Sequence, residues 1–448
     1  MRRFFCSSNT TMQSRRHFIR QSAATLFAAP YVTSGLRAAS PNGKLRHAAF
    51  GASGMSFGDM MSMSAHPMWE LAAVCDVDTR NFKKVQEKFP NVRVYQDWRE
   101  MLTQEGDKID SVNVSTPDHM HGSMGIASME LGKHLYGQKP LAHNLWECRE
   151  MVLRANSKGV MTQMGIQVSS EFTERHAVAL IQMGAIGKVK EAHTFSHKKW
   201  GDMELRPTKS DPIPPELDWD KWLGVAPERS YIQGYDHPGN WRKRRDFGTG
   251  TLGDMGCHMF SGWFRSLGLA APTSVTSRGP VPNKDNWATD AVVEYTFAGT
   301  QYTAGDTIKV TWTDGDARPP AEVMALIGDA KFPQQGTIYL GTDGVLLHSH
   351  GSTPMLYPRD KFTGFKYPKL EPRDHRADFI DCCLKGDKKP SANFDYAGPL
   401  TEAVLLGCLA SVFPNETLTW DAPGLKIPNN AEADKLVRRN YRKGWEIV

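Results

Sequence analysis

The sequence predicts an α/β protein in two parts: an N-terminal domain on a mostly parallel sheet, then a C-terminal α+β domain with a large, mostly antiparallel open sheet. Three observations carry this expectation. From about residue 45 to 163, short apolar strand candidates alternate with helix-period segments, the order of crossover units in a parallel sheet. Beyond that point strand candidates follow one another without a helix between each pair. A chain of 448 residues also exceeds the size at which a single hydrophobic core stops growing.

The elements are read in order as follows. A strand at 45–50 stops at Gly51, a helical run covers 59–65, and a second strand covers 69–75. Helices are expected at 81–89, 121–131 and 145–157, with strands between them at 109–114 and 134–136. In the second part, 189–195, 291–297, 307–313 and 336–347 are strand candidates, and 375–384 and 399–413 look helical. Between about 198 and 248 lies an insertion rich in Pro, Trp and Gly with no regular element, a kind of segment more often functional than idle. The expected limits are 1–40 for an export segment, 41–163 and 164–448 for the two domains, with the helices of 375–413 packing back toward the first domain.

The export segment carries Arg2, Arg3, Arg15, Arg16 and Arg20 ahead of an apolar stretch from Gln21 to Leu36. Ser14-Arg15-Arg16-His17-Phe18-Ile19-Arg20 matches a paired-arginine signal, the address of a protein exported already folded. The apolar stretch is too short and too polar for a stable membrane span. Cleavage fits after Ala38-Ala39-Ser40 or near Thr33-Ser34-Gly35. The expected address is therefore the periplasm or another exported compartment, reached through the twin-arginine machinery.

The net charge of +5 includes the leader arginines, so the mature body is close to neutral. Arg242-Lys243-Arg244-Arg245 is one short cluster rather than the basic stripe that nucleic acid requires. The seven cysteines show no Cys-x-x-Cys spacing, so neither a zinc site nor a disulfide framework is expected.

Gly51-Ala52-Ser53-Gly54-Met55-Ser56-Phe57-Gly58 follows the first strand and opens a helix. In a dinucleotide fingerprint, glycines allow the tight turn and let backbone N–H groups reach a pyrophosphate at the positive helix end. Gly51 fits the first position, but Ser53 and Ser56 stand where glycine is usual, and taken alone a plain glycine-rich turn fits about as well. Asp76 ends the next strand, where a carboxylate hydrogen-bonds a ribose diol and repels a 2′-phosphate, favouring NAD over NADP. Asp78 competes for that role, and either carboxylate can instead cap the following helix.

At Thr116-Pro117 a strand ends in a polar turn on the edge that faces the ligand crevice of such sheets. His121, just beyond, either lines the cofactor or packs on the next helix. Lys139 stands between a strand and Pro140, held extended, with an X-Pro bond that can be cis. An ammonium there can donate to a substrate hydroxyl and shift a neighbouring histidine. On its own Lys139 reads as a solvated loop lysine. Asp254 and His258 lie four residues apart at the start of a predicted helix whose other residues are largely apolar, so they share one face. Buried unpaired they would be costly. The competing readings are Asp254 as an N-cap and His258 as a satisfied core histidine.

After residue 44 the chain resembles the Gfo/Idh/MocA family (glucose–fructose oxidoreductase, inositol dehydrogenase, rhizopine catabolism) in its exported branch. The resemblance rests on the glycine loop at Gly51, Thr116-Pro117 followed by His121, Lys139-Pro140, and the Asp254–His258 pair. The glutamine-bearing strand Gln163-Met164-Gly165-Ile166-Gln167 and the helix near Asp378-Phe379-Ile380 add to it. It implies a Rossmann domain that binds a nicotinamide cofactor through Gly51, Ser53, Gly54, Met55, Asp76, Thr116, Pro117, His121, Lys139 and Gln167, and a sugar-like substrate. It also implies a catalytic set: His258 as the acid/base that takes a hydroxyl proton, Lys139 orienting that hydroxyl, and Asp254 positioning the histidine or binding a neighbouring hydroxyl. Two departures stand out. Gln138 replaces the glutamate that commonly precedes the lysine, and Ser53 and Ser56 alter the glycine loop.

The insertion would then cover the substrate cleft, with Trp200, Trp219, Trp222, Trp241 and Tyr235 stacking on sugar faces and Asn240 and Arg242 as polar clamps. For any single tryptophan core packing is the better reading; for the set, sugar binding is. The expected function is an NAD-dependent oxidoreductase acting on a secondary hydroxyl of a sugar, sugar derivative or glycoside. One alternative is net hydrolysis or lyase chemistry with transient oxidation and internal cofactor recycling. Another, of a different class, is a non-catalytic carbohydrate-binding protein. Self-association through an exposed face of the second sheet is a further expectation.

Overall fold

The computed structural model describes residues 43–328 and 331–447, so the export segment expected at 1–40 lies outside the described residues. Strands β1 (Leu45–Phe50), β2 (Trp69–Cys75), β3 (Arg93–Tyr95), β4 (Ser111–Val114), β5 (His134–Gly137) and β6 (Thr162–Met164) form one parallel sheet. Their order is β3-β2-β1-β4-β5-β6. β4 and β5 are buried throughout, as strands covered on both faces must be. Helices α1 (Gly54–Met63), α2 (His121–Glu130) and α3 (Leu145–Lys158) are among the crossovers. Sheet growth reverses between β1 and β4, which opens a crevice beyond their carboxyl ends.

Several details differ from expectation. α1 begins at Gly54 rather than 59, because the glycine turn itself opens the helix. β3 and the helix Trp98–Glu105 were not anticipated; three residues are too few for any period to register. β6 runs through Met164, across the domain limit expected at 163.

The second sheet takes its strands in the order β13-β12-β11-β7-β10-β9-β8-β14. They are β7 (Val189–Ser196), β8 (Ser274–Arg278), β9 (Val292–Ala298), β10 (Thr307–Asp314), β11 (Gln335–Gly341), β12 (Val345–Ser349), β13 (Met355–Tyr357) and β14 (Thr417–Thr419). Every neighbouring pair is antiparallel except β7 with β10. The single strand expected at 336–347 is therefore two. Thr342-Asp343-Gly344 turns the chain, and Gly341 N–H donates to Gly344 O at 2.9 Å. A Thr-Asp-Gly turn between two apolar runs is a hairpin signal that the unbroken reading passed over.

α4 (Gly250–Ser266) lies on this sheet. Its Phe260 and Trp263 pack on Tyr295, Phe297 and Trp312 with ring centroids 5.5–5.9 Å apart, all of them buried. α5 (His375–Lys385) contacts α1 and β1, and α6 (Phe394–Ala410) packs against both α3 and α4. α6 starts five residues before the expected 399: Asn393 caps it by accepting from Asp395 N–H, and Pro399 sits inside. The proline forfeits one backbone hydrogen bond, and the burial of a nearly all-apolar helix outweighs that loss.

One buried cluster locks this scaffold and accounts for Gln138. Asp59 of α1, fully buried, accepts from Arg376 of α5 at 2.9 and 2.6 Å, from Gln138 Nε2 at 2.7 Å, and from Ser115 Oγ at 3.3 Å. A glutamate at 138 would set a second carboxylate against Asp59, whereas the amide of glutamine donates to it. Burial pushes the Asp59 carboxyl up, and Arg376 and Gln138 oppose that rise. Gln138→Glu is therefore expected to destabilise the fold by about 2–4 kcal/mol at neutral pH. The added carboxylate pair would hold a proton more tightly folded than unfolded, so the deficit should shrink as pH falls. Denaturant unfolding of both proteins at pH 7 and pH 5 checks this.

Candidate functional site

A cleft opens beyond the carboxyl ends of β1, β2, β4 and β5, lined by Gly51, Ser53, Gly54, Met55, Asp76, Thr116, Pro117 and Lys139 among others. Asp76 follows β2 and Lys139 follows β5, three strand intervals apart, or about 14 Å at the usual spacing. Gly51 holds φ +98°, and a Cβ there would stand 2.8 Å from Ser115 O, so the turn admits glycine alone. Ser53, the N-cap of α1, makes no side-chain cap, which leaves the first-turn N–H groups free for an anion. Ser56 is turned inward, buried, with its hydroxyl donating to Gly51 O at 2.6 Å. That departure from glycine thus leaves the cleft unobstructed.

Of the two competing carboxylates, Asp76 lines the cleft. Its oxygens accept from Ala52 N–H at 2.8 Å and Asp78 N–H at 2.9 Å; burial pushes its carboxyl up, and these donors pull it back. Asp78 is committed elsewhere, to Arg80 at 2.7 and 2.6 Å and to His237 Nε2 at 3.2 Å. A tight glycine turn, an uncapped helix terminus and a carboxylate on the next strand fit a dinucleotide.

At the other end of the cleft an ion pair joins the two domains. The Lys139–Pro140 bond is cis, and Lys139 Nζ donates to Asp254 O at 2.6 Å and to Asp254 Oδ1 at 2.8 Å. Lys139 is therefore a largely enclosed ion-pair partner, 13% exposed, and not a solvated lysine. Asp254 stands inside α4, whose N-cap is Thr249, so Asp254 does not cap the helix. Arg242 Nε reaches Asp254 Oδ1 at 3.2 Å, and Lys198 Nζ stands 3.7 Å from Oδ2. Burial would raise the Asp254 carboxyl, but Lys139 and Arg242 prevail and hold it well below the usual carboxylate range.

One turn on, His258 has a buried Nδ1 with no hydrogen-bond partner, and its ring stands 5.7 Å from that of His350. Burial and the nearby charge of Lys139 hold its imidazole well below the ordinary value, so it is neutral across the physiological range. Lys139 and Asp254 line the cleft; His258 is not on its wall but stands one helical turn beyond Asp254, within reach of the Lys139 charge. A neutral imidazole beside an ammonium can accept a proton from a hydroxyl that the ammonium orients.

Other expected residues stand elsewhere. His121 does not line the cleft, because its Nδ1 faces Pro140 O at 2.7 Å and its Nε2 faces Thr116 O at 2.8 Å; it braces the two turns. Gln167 begins a 3-10 turn and donates to Tyr136 Oη at 3.3 Å, away from the cleft wall. Tyr235 lies under the guanidiniums of Arg244 and Arg206, at 3.5 and 5.1 Å from its centroid, and Asn240 donates to Gly234 O at 2.8 Å. Both are structural ties within the insertion. Trp200 is absent from the cleft wall and supports Arg242 at 5.5 Å, while Trp241 and Arg242 line the cleft. Trp219 is a core residue, stacked on Trp222 at 4.7 Å.

The insertion also reaches the Asp76 end. Trp222, His237 and Lys221 line the cleft there. Asp218 N–H donates to Val77 O at 2.9 Å and Thr79 N–H to Glu216 O at 3.0 Å, a short antiparallel bridge over the turn after β2. Nothing in the residue pattern signalled this pairing. Lys198, His350 and Asp118, which accepts from the Thr249 hydroxyl at 2.7 Å, were missed for the same reason. Lys198 and His350 are loop residues and Asp118 opens a 3-10 turn, and only the fold brings them together.

Two family models match the chain. Residues 45–166 match "Oxidoreductase family, NAD-binding Rossmann fold", and 180–447 match "Oxidoreductase family, C-terminal alpha/beta domain". A levoglucosan dehydrogenase of Pseudarthrobacter phenanthrenivorans is 27% identical over 167 residues, 36% of this chain and 34% of that protein. An alpha-N-acetylgalactosaminidase of Shewanella oneidensis is 31% identical over 147 residues, 30% of this chain and 32% of that protein. The chain thus spans about a third of the length of these curated relatives. Among solved structures, the WlbA dehydrogenase of Bordetella pertussis in complex with NADH and UDP-GlcNAcA shares the fold at TM-score 0.59 and 16% identity, over 84% of this chain and 98% of that one. With both halves matched in order and the cleft lying where they meet, the chain belongs to the Gfo/Idh/MocA oxidoreductase family.

Proposed function

We propose that the protein is an NAD-dependent oxidoreductase acting on a secondary hydroxyl of a sugar, sugar derivative or glycoside. The observation that carries this reading is the Lys139–Asp254 ion pair at 2.8 Å with the neutral His258 one turn away. The free N–H groups at Ser53–Met55 would hold the pyrophosphate of NAD, and Asp76 its adenosine ribose. When bound, the nicotinamide supplies the hydride acceptor. His258 removes the hydroxyl proton, Lys139 donates a hydrogen bond to the same oxygen as it becomes a carbonyl, and Asp254 keeps Lys139 aimed. The levoglucosan dehydrogenase and NADH-bound WlbA relatives support the class of chemistry.

A second reading has a specific observation in its favour. The insertion bridges the turn beyond Asp76 through Asp218 and Glu216, beside the end of the cleft that would take the adenosine ribose, which favours a cofactor held firmly. A retained cofactor would suit redox-neutral chemistry, in which transient oxidation acidifies a neighbouring carbon, loss of its proton expels the aglycone as an alcohol, and water adds to the resulting double bond before the carbonyl is reduced again. The alpha-N-acetylgalactosaminidase relative supports it. So does the paired-arginine signal at Arg15-Arg16, from which we propose twin-arginine export to a compartment without fresh NAD. Protein purified without added nucleotide should then still carry NAD by mass spectrometry, and turn over without consuming it. Loss of cofactor on dialysis, with stoichiometric reduction of added NAD, would favour net oxidation instead.

His258→Ala should lower kcat by about 10²–10⁴-fold while leaving NAD affinity near the parent value. Unchanged turnover of every accepted sugar would instead favour a non-catalytic carbohydrate-binding protein. Because the working base is the neutral imidazole and its pKa is depressed, kcat/KM should stay level through neutrality. It should fall only in acid, as His258 takes a proton. An acid limb centred at or above the ordinary histidine value would contradict this assignment.

A further inference from the structure

We propose that the substrate is an acidic sugar, whose carboxylate is received by Arg242 and Lys198 beside the reacting hydroxyl. The inference rests on the oxidoreductase reading of the cleft and names the substrate class for that site.

Three cations, Lys139, Arg242 and Lys198, converge on the single carboxylate of Asp254 at 2.8, 3.2 and 3.7 Å. Lys139 satisfies that carboxylate and the backbone carbonyl of the same residue. Arg242 spends only its Nε on Asp254, and among the described residues its two terminal nitrogens meet no hydrogen-bond acceptor. Lys198 lies beyond hydrogen-bond reach of Oδ2 and has no other acid partner among the described residues. Arg242 lines the cleft and is 31% exposed; Lys198 is not on the cleft wall but is 43% exposed on the Oδ2 side of Asp254, so a ligand seated against Asp254 can reach both.

Arg242 is also held in place. Its guanidinium lies 4.2 Å from the ring centroid of Trp241 and 5.5 Å from that of Trp200, which pre-orients its planar fork. A fork with two unpaired terminal nitrogens matches a carboxylate bidentately. The histidines add no counter-charge: His258 and His350 are held below the ordinary value by burial and the same lysines. Asp118 is the second carboxylate near Lys139 and Arg242, but it is buried, accepts from the Thr249 hydroxyl at 2.7 Å, and makes no ion pair with Arg242 or Lys198. The glycine turn that would take the cofactor's phosphates follows β1, two strand intervals from Lys139, or about 10 Å. Those phosphates are therefore not the counter-ion of this cluster. A neutral sugar would leave the terminal nitrogens of Arg242 and the ammonium of Lys198 without a charged acceptor; a carboxylate would supply one.

The test compares matched pairs on the NAD-loaded, full-length enzyme: methyl glucoside with methyl glucuronide, and methyl galactoside with methyl galacturonide. Binding is read by tryptophan fluorescence and turnover by nicotinamide absorbance. A preference of about 10–100-fold for the acid in kcat/KM, carried by KM and weakening as salt rises, is the expected result. Lys198→Gln, at a half-exposed position, should collapse most of that preference, and Lys198→Arg should restore it. Neutral sugars accepted as well as their acids, or an acid preference untouched by Lys198→Gln, would overturn the proposal while leaving a sugar oxidoreductase standing. Failure of every sugar of either kind to bind or turn over would overturn both.

Discussion

The ion pair between Lys139 and Asp254 is the contact on which the site depends. Lys139 comes from the end of the parallel sheet and Asp254 from the helix lying on the second sheet. Each is largely buried, so neither tolerates the loss of the other; removing one partner of such a pair costs about 3–5 kcal/mol. The pair therefore sets the distance between the two domains where reacting atoms would sit. It also fixes the electrostatics around it: the carboxylate stays ionised, and the ammonium helps keep His258 neutral.

A layered arrangement supports that contact. α6 packs against both α3 and α4, so one apolar helix touches each half of the molecule. Asp59, Gln138 and Arg376 tie α1, the residue before Lys139, and α5 into one hydrogen-bonded knot. The backbone that presents Lys139 is thus braced from below by a neutral amide. At the opposite end of the cleft, the insertion adds a short backbone pairing beside Asp76. The segment, expected to have no regular element, does carry a short helix at Trp219–Leu223 and a 3-10 turn at Asn240–Lys243, and it walls both ends of the crevice, with Trp222 and His237 at one and Trp241 and Arg242 at the other.

Much of the first domain was legible because parallel strands and their crossover helices are local objects with clear periods. β1 and β2 occur at the residues read from their apolar runs. The short pieces, such as β3 and β14, were not legible; three residues carry no period, and neighbouring strands alone create them. The hairpin between β11 and β12 was hidden by the opposite error, an apolar run read through its turn. The insertion's aromatic residues misled in another way. Tryptophan and tyrosine serve cores and ligands alike, and composition cannot tell Trp219, stacked in a core, from Trp241 on the cleft wall.

By itself the sequence determined the order of the elements, the glycine turn at Gly51, the carboxylate ending β2, and the helix face shared by Asp254 and His258. Each of these follows from spacing along a single strand, turn or helix. Only the tertiary structure decided which of Asp76 and Asp78 faces the cleft, that His121 braces turns instead of lining them, and that Lys198, Arg242 and Lys139 close on one carboxylate. Those outcomes depend on distances between residues far apart in the chain. A sequence specifies such distances only through the packed core that holds its sheets and helices together.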